Sequence, residues 1–76
     1  MGKVLPISNN IRRLRFEANE MTQAQLAEKV GVTRQTLHAI EAAKYSPTLE
    51  LAFKIAAVFE VQLDEVFQYH KQKPDA

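Results

Sequence analysis

Arg34, Gln35 and His38 stand one, three and four positions apart within the stretch TQAQLAEKVGVTRQTLHAIEA, residues 22–42. On a helix, residues at i, i+1 and i+4 lie on one side, so these three form a single outward row. The chemistry open to such a row is the reading of base edges. An arginine can fork onto guanine O6 and N7, and a glutamine onto adenine N6 and N7. Thr33 and Thr36, beside them, can bond a phosphate or a base edge. His38 is a lone histidine with no partner at metal-ligand spacing, which leaves base contact or solvation as its roles. The bland alternative for the stretch is an ordinary helical hairpin with a solvated face. We weigh it lower, because the row suits base edges better than it suits solubility alone.

Two short helices must hold that row. Thr22 followed three residues later by Gln25 is the spacing of a capping box. Leu26, Ala27 and Val30 then recur at helical spacing and make an apolar face. Gly31 follows, where a helix closes most easily in a left-handed residue. Val32 plugs the corner, Thr33 is a second N-cap, and Leu37 and Ile40 mark the buried side of the next helix. Ala27 is small, as it must be where two helices joined by a tight turn touch closely. This is the pattern of a helix-turn-helix.

The flanking chain supplies the rest of a bundle. Lys3–Ile7, KVLPI, reads as a short extended segment, with Pro6 restricting it to a sheet edge. Ser8, Asn9 or Asn10 can cap a first helix that runs to Ala18, with Ile11, Leu14 and Ala18 inward and Arg12 and Arg13 outward. Phe16 falls off that stripe, at the core edge or against a partner. Met21 is placed as a hydrophobic staple before Thr22. After the loop around Lys44 and Tyr45, Ser46 or Thr48 starts a fourth helix. Its residues are apolar almost all round, from Leu49 through Phe53 to Phe59, which predicts the buried centre of the bundle. Val61 closes it. A brief fifth helix follows at Leu63–Phe67, with Asp64 and Glu65 suited to its positive end. Val66–His70 is rich in β-branched and aromatic residues, so the two ends of the chain can pair as a ribbon. Such a ribbon is marginal alone, and we expect packing across a dimer to support it.

The 76 residues, 46% hydrophobic and 25% charged, fit one ordinary globular domain rather than a disordered chain. The absence of cysteine excludes disulfides and thiolate metal sites. No segment has membrane-spanning length and the start lacks a signal-peptide core, so a cytoplasmic protein with no membrane partner is expected. Lys3, Arg12, Arg13 and Arg15 give the first fifteen residues a charge of +4, whereas residues 46–76 carry −2. That asymmetry suits a phosphate-facing surface in the N-terminal half. No nucleophile–base pair, metal cluster or phosphate loop is visible, so catalytic residues, metal ligands and cofactors are expected to be none, and the chain is not expected to be an enzyme. Asp64 and Glu65 point about 100° apart on a helix and are not a catalytic pair.

The residues T-Q-x-x-L-A-x-x-x-G-V-T-R-Q-T-L-x-x-I-E, followed by K-Y-S-P-T-L-E-L-A-F-K-I-A, resemble the phage lambda-repressor/Cro-like helix-turn-helix family, and more narrowly its compact single-domain bacterial transcriptional regulators. The resemblance runs from about Asn10 to Tyr69. It implies an all-α fold of five helices, with helices 2 and 3 as the motif and, in some members, a small β-ribbon from the termini. It also implies that helix 3 enters the major groove and that dimers read two half-sites about one helical turn apart. Carried over, Gln23 matches a glutamine that contacts phosphate and braces the recognition helix. Thr33, Arg34, Gln35 and His38 fall on positions that face DNA, and Lys44 and Tyr45 match a backbone-touching loop. Arg15 and Glu41 match an ion pair tying helix 1 to helix 3. Three departures stand out. Ala42-Ala43 replaces a common Asn-Gly, the link Asn19-Glu20-Met21 is one residue longer, and Gln62 occupies a position where a serine cap is expected.

Three segments are therefore expected: an extended arm over 1–9, a DNA-binding domain over 10–67, and a strand and tail over 68–76. The expected DNA-binding residues are Arg12, Gln23, Thr33, Arg34, Gln35, Thr36, His38, Lys44 and Tyr45. The expected dimer interface comprises Val61, Leu63, Val66, Phe67 and Tyr69. The function that follows is a homodimeric repressor binding a roughly palindromic operator in double-stranded DNA. A small-molecule effector is not expected, as no second domain offers it a site. The competing reading is an antitoxin that neutralises a partner protein, against which stands a tail of only seven residues after Tyr69.

Overall fold

Each of the three middle helices begins on a threonine. The hydroxyls of Thr22, Thr33 and Thr48 accept the backbone N–H groups of Gln25, Thr36 and Leu51, at 3.0, 3.1 and 3.1 Å. These caps satisfy donors that a helix start would otherwise leave orphaned. At Thr22 the box is complete, since Gln25 Oε1 accepts the Thr22 N–H at 2.8 Å. The computed structural model describes residues 6–70. Its order is β1 (Ile7–Asn9), α1 (Ile11–Glu17), α2 (Gln23–Val30), α3 (Arg34–Glu41), α4 (Leu49–Phe59), α5 (Leu63–Val66) and β2 (Phe67–Tyr69). The expected extended residues Lys3, Val4 and Leu5 and the tail 71–76 lie outside that range.

The ends of the helices are equally regular. α2, α3 and α4 each close with a left-handed residue, namely Gly31, Ala43 and Glu60, at φ +79°, +61° and +56°. In each case the next N–H reaches back five residues: Val32 to the Ala27 carbonyl, Lys44 to Ala39 and Val61 to Ala56. α1 stops at Glu17, one residue short of expectation, and leaves through two left-handed residues, Asn19 and Glu20. The extra residue of this link is absorbed there. It lets the Met21 N–H bond the Arg15 carbonyl at 2.8 Å.

α2 and α3 pack on each other and α2 also packs on α4. The fully buried side chains are Ile11, Leu26, Leu37, Ile40, Ile55 and Val66, one or two from each helix. β1 and β2 form the antiparallel ribbon, with Ile7 opposite Tyr69, Ser8 opposite Gln68 and Asn9 opposite Phe67. α1 is started by Asn9, whose Oδ1 accepts the Ile11 N–H at 3.1 Å, rather than by the side chain of Asn10. Gln62 opens α5 without a side-chain cap; instead Glu65 accepts its N–H at 3.3 Å.

Two expectations are corrected. α4 is not the buried centre: Ala52, Ile55 and Ala56 are buried, but Leu49 and Phe53 are 67% and 53% exposed. They stand one turn apart on a face that no element among the described residues covers. Val66 is fully buried in the core, so it cannot be part of a contact with a second subunit. α5 is a single turn whose one inward position Val66 occupies. No helix among the described residues is long and apolar enough to cross a membrane.

Candidate nucleic-acid interface

α3 carries its apolar residues, Leu37 and Ile40, into the core and leaves Arg34, Gln35 and His38 exposed along the opposite side. Its positive end is closed by Thr33, whose hydroxyl also donates to Thr36 Oγ1 at 3.0 Å. Thr33 is exposed and Thr36 half-buried, so both hydroxyls are already committed to shaping the start of the helix. Gly31 is exposed, and a Cβ built there meets nothing within 4 Å. The glycine is needed for the backbone dihedral of the turn, not for space.

A clamp fixes the far end of α3. Arg15 Nε and Nη2 donate to the two carboxylate oxygens of Glu41 at 2.6 and 3.1 Å, and Arg15 Nη1 donates to the Met21 carbonyl at 2.8 Å. Gln23 Nε2 donates to Glu41 Oε1 at 3.1 Å. The two charged side chains are only 15% and 10% exposed. A fork-to-fork pair of this kind is directional, so it sets orientation as well as distance. α1, α2 and α3 therefore meet at one carboxylate, and the α1–α2 link is tied to them through Arg15. Every buried side-chain nitrogen and oxygen among the described residues has a partner.

Gln23 Nε2 also lies 3.5 Å from His38 Nδ1, which joins the first residue of α2 to the exposed row. Arg12, Gln23, His38 and Ala42 border a shallow notch between α1 and α3. Asn9 and the Arg15–Glu41 pair complete its lining, so among the described residues one unpaired cation and three polar side chains meet beside the clamp. Lys44 and Tyr45 are exposed on the loop that follows, where Ala43 holds the left-handed turn. The site residues expected from the sequence thus divide in two. Arg12, Thr33, Arg34, Gln35, His38, Lys44 and Tyr45 are open, with the Thr33 hydroxyl taken up in capping α3, whereas Gln23 and Thr36 are half-buried and partly occupied in bracing.

A second surface carries the residues expected at a subunit contact. Leu63, Phe67 and Tyr69 line an open cleft together with Ile7, Leu49 and Phe53. Tyr69 is 70% exposed. Ile7, Leu49 and Phe53 are absent from the expected set, although the apolar pair one turn apart in α4 was visible in the sequence. Val61 instead packs against the core.

Two helices joined through a left-handed glycine, with the second presenting an open polar row, define a helix-turn-helix domain. The comparisons agree. A helix-turn-helix family model matches residues 11–66. An uncharacterized HTH-type transcriptional regulator of Methanocaldococcus jannaschii is 53% identical over 51 residues, covering 67% of this chain and 77% of that protein. One from Archaeoglobus fulgidus is 41% identical over 63 residues, covering 83% and 87%. Another from Bacillus subtilis is 43% identical over 61 residues, covering 80% and 91%. A crystal structure from Bacteroides fragilis, described as a candidate DNA-binding protein, has the same fold. It gives a TM-score of 0.72 at 24% identity over 82% of this chain and 98% of that one.

The chain belongs to the helix-turn-helix family, in its lambda-repressor/Cro-like branch. Its relatives are archaeal as well as bacterial, a wider group than the compact bacterial regulators that its sequence resembles.

Proposed function

We propose that this helix-turn-helix regulator is a sequence-specific repressor that binds double-stranded DNA in the cytoplasm as a homodimer. The observation that supports it best is the pairing of an exposed row, Arg34, Gln35 and His38, with a clamp that fixes the helix bearing it. α3 enters the major groove, where Arg34 and Gln35 meet base edges. Arg12, Gln23, Lys44 and Tyr45 contact the sugar–phosphate backbone and set the register, with Thr33 and Thr36 at the helix start. The open apolar cleft of Leu49, Phe53, Leu63, Phe67 and Tyr69 is covered by a second copy. An exposed apolar surface of this kind marks an interface. Two α3 helices related by two-fold symmetry then read a roughly palindromic operator with half-sites about 34 Å apart. Occupying a promoter in this way represses it.

The test is selection of binding sites from random duplexes at controlled salt. The expected product is a two-fold motif with a fixed half-site spacing. Recovery of no consensus, with affinity that depends only on salt, would overturn sequence-specific reading.

A further inference from the structure

Asn9, the last residue of β1, borders the notch between α1 and α3, and its side chain reaches the end of α3. Nδ2 donates to the carbonyls of Ile40 and Glu41, at 3.0 and 3.3 Å, while Oδ1 accepts the Ile11 N–H at 3.1 Å. Its backbone lies opposite Phe67 in the ribbon. One half-buried amide thus joins the ribbon, the start of α1 and the last turn of α3. The final carbonyls of a helix have no partners within it. Here the Ile40 carbonyl takes the Ala43 N–H of the following turn at 3.0 Å, and a further donor to Ile40 and Glu41 comes from a residue 31 and 32 positions away in the chain.

Glu41 is consequently held twice. Arg15 and Gln23 grip its side chain, and Asn9 grips its backbone. The second grip leads to the ribbon, whose Phe67 and Tyr69 border the apolar cleft. We infer that Asn9 is a positioning residue for base readout, locking the C-terminal end of α3 to the ribbon so that the tilt of the reading row follows the ribbon. This inference rests on the assignment of α3 as the DNA-reading helix. Without the Nδ2 donor, Leu37 and Ile40 still anchor α3 in the core, but its last turn is free to shift against the ribbon.

Asn9→Asp separates the two roles of the amide. It keeps an acceptor for the Ile11 N–H, where a negative charge suits the helix start, and places an oxygen against the two carbonyls. Asn9→Ala removes all three bonds. For each full-chain variant, the measurements are affinity for the selected duplex, affinity for a scrambled duplex at the same salt, and amide exchange across α3.

Both variants should lower the ratio of selected to scrambled affinity on the order of 10-fold, the size of a coupling within one hydrogen-bond network. The loss should be non-additive with Arg34→Ala, because both act through the same helix. A merely structural role would lower both affinities together through the folded fraction and leave the ratio intact. An unchanged ratio, or simple additivity with Arg34→Ala, overturns the inference. Wild-type protein that fails to distinguish the two duplexes overturns the DNA-reading assignment instead. The clasp is then judged by exchange at Ala42 and Lys44, which must quicken in Asn9→Asp for it to stand. Should Asn9→Ala fail to fold, Asn9→Asp carries the test.

Discussion

The guanidinium of Arg15 and the carboxylate of Glu41, 26 positions apart, meet in a two-pronged bond of 2.6 and 3.1 Å with little access to solvent. Breaking such a pair from one side leaves a charge stranded. Arg15→Ala should therefore lower unfolding stability by about 3 kcal/mol, measured by urea denaturation. Replacing both partners with apolar residues of similar size, Arg15→Met with Glu41→Leu, should cost much less. If the pair serves orientation rather than stability, that double variant stays folded but loses discrimination between duplexes. Equal discrimination would assign the bond to stability alone.

Arg34→Ala should cost about 1–3 kcal/mol in affinity for the selected site and blur preference at one base pair. Gln23→Ala should weaken all duplexes more evenly. Repeating the selection with each variant reads the difference directly. A consensus from Arg34→Ala identical to the wild-type one would remove Arg34 from base readout.

Ala43 and Glu60 hold left-handed turns at φ +61° and +56° that glycine adopts without strain. Ala43→Gly and Glu60→Gly should each stabilise the protein by about 0.5–1 kcal/mol, seen as a higher Tm. Gly31→Ala should do the reverse, even though its Cβ would meet open space. A neutral Gly31→Ala would show that the turn can relax out of the left-handed region.

Phe53→Lys and Tyr69→Lys change exposed side chains of the apolar cleft. They should leave helicity and Tm nearly unchanged while shifting the sedimentation profile from dimer to monomer. Val66→Asp places a charge in the core and should abolish folding altogether. A dimer that survives both lysine variants would move the subunit contact elsewhere.

Much of this architecture was legible from local chemistry. The Thr22 and Thr33 caps, the Gly31 turn and the inward residues Leu26, Val30, Leu37 and Ile40 all depend on neighbours within a turn or two, which sequence displays directly. α4 was misread for a physical reason. An all-round apolar helix can be central in a monomer or lateral in an assembly, and composition is the same in both cases. Val66 was misassigned because a one-turn helix has too few residues to reveal a face. Asn9 is legible in the sequence as a candidate cap of α1, but its bonds to α3 are not, because periodicity carries no information about a bond across 31 positions.

The ribbon that closes the molecule also bears on the order in which it assembles. The His70 N–H bonds the Pro6 carbonyl at 2.6 Å, and Ser8 and His70, 62 positions apart, share a further hydrogen bond. The turn between α2 and α3 needs only local closure, whereas this end-to-end clasp must gather almost the entire chain and carries the larger loop-closure entropy. The reading head can therefore form early, from adjacent residues, and the clasp is the late step in folding and the early one to fray.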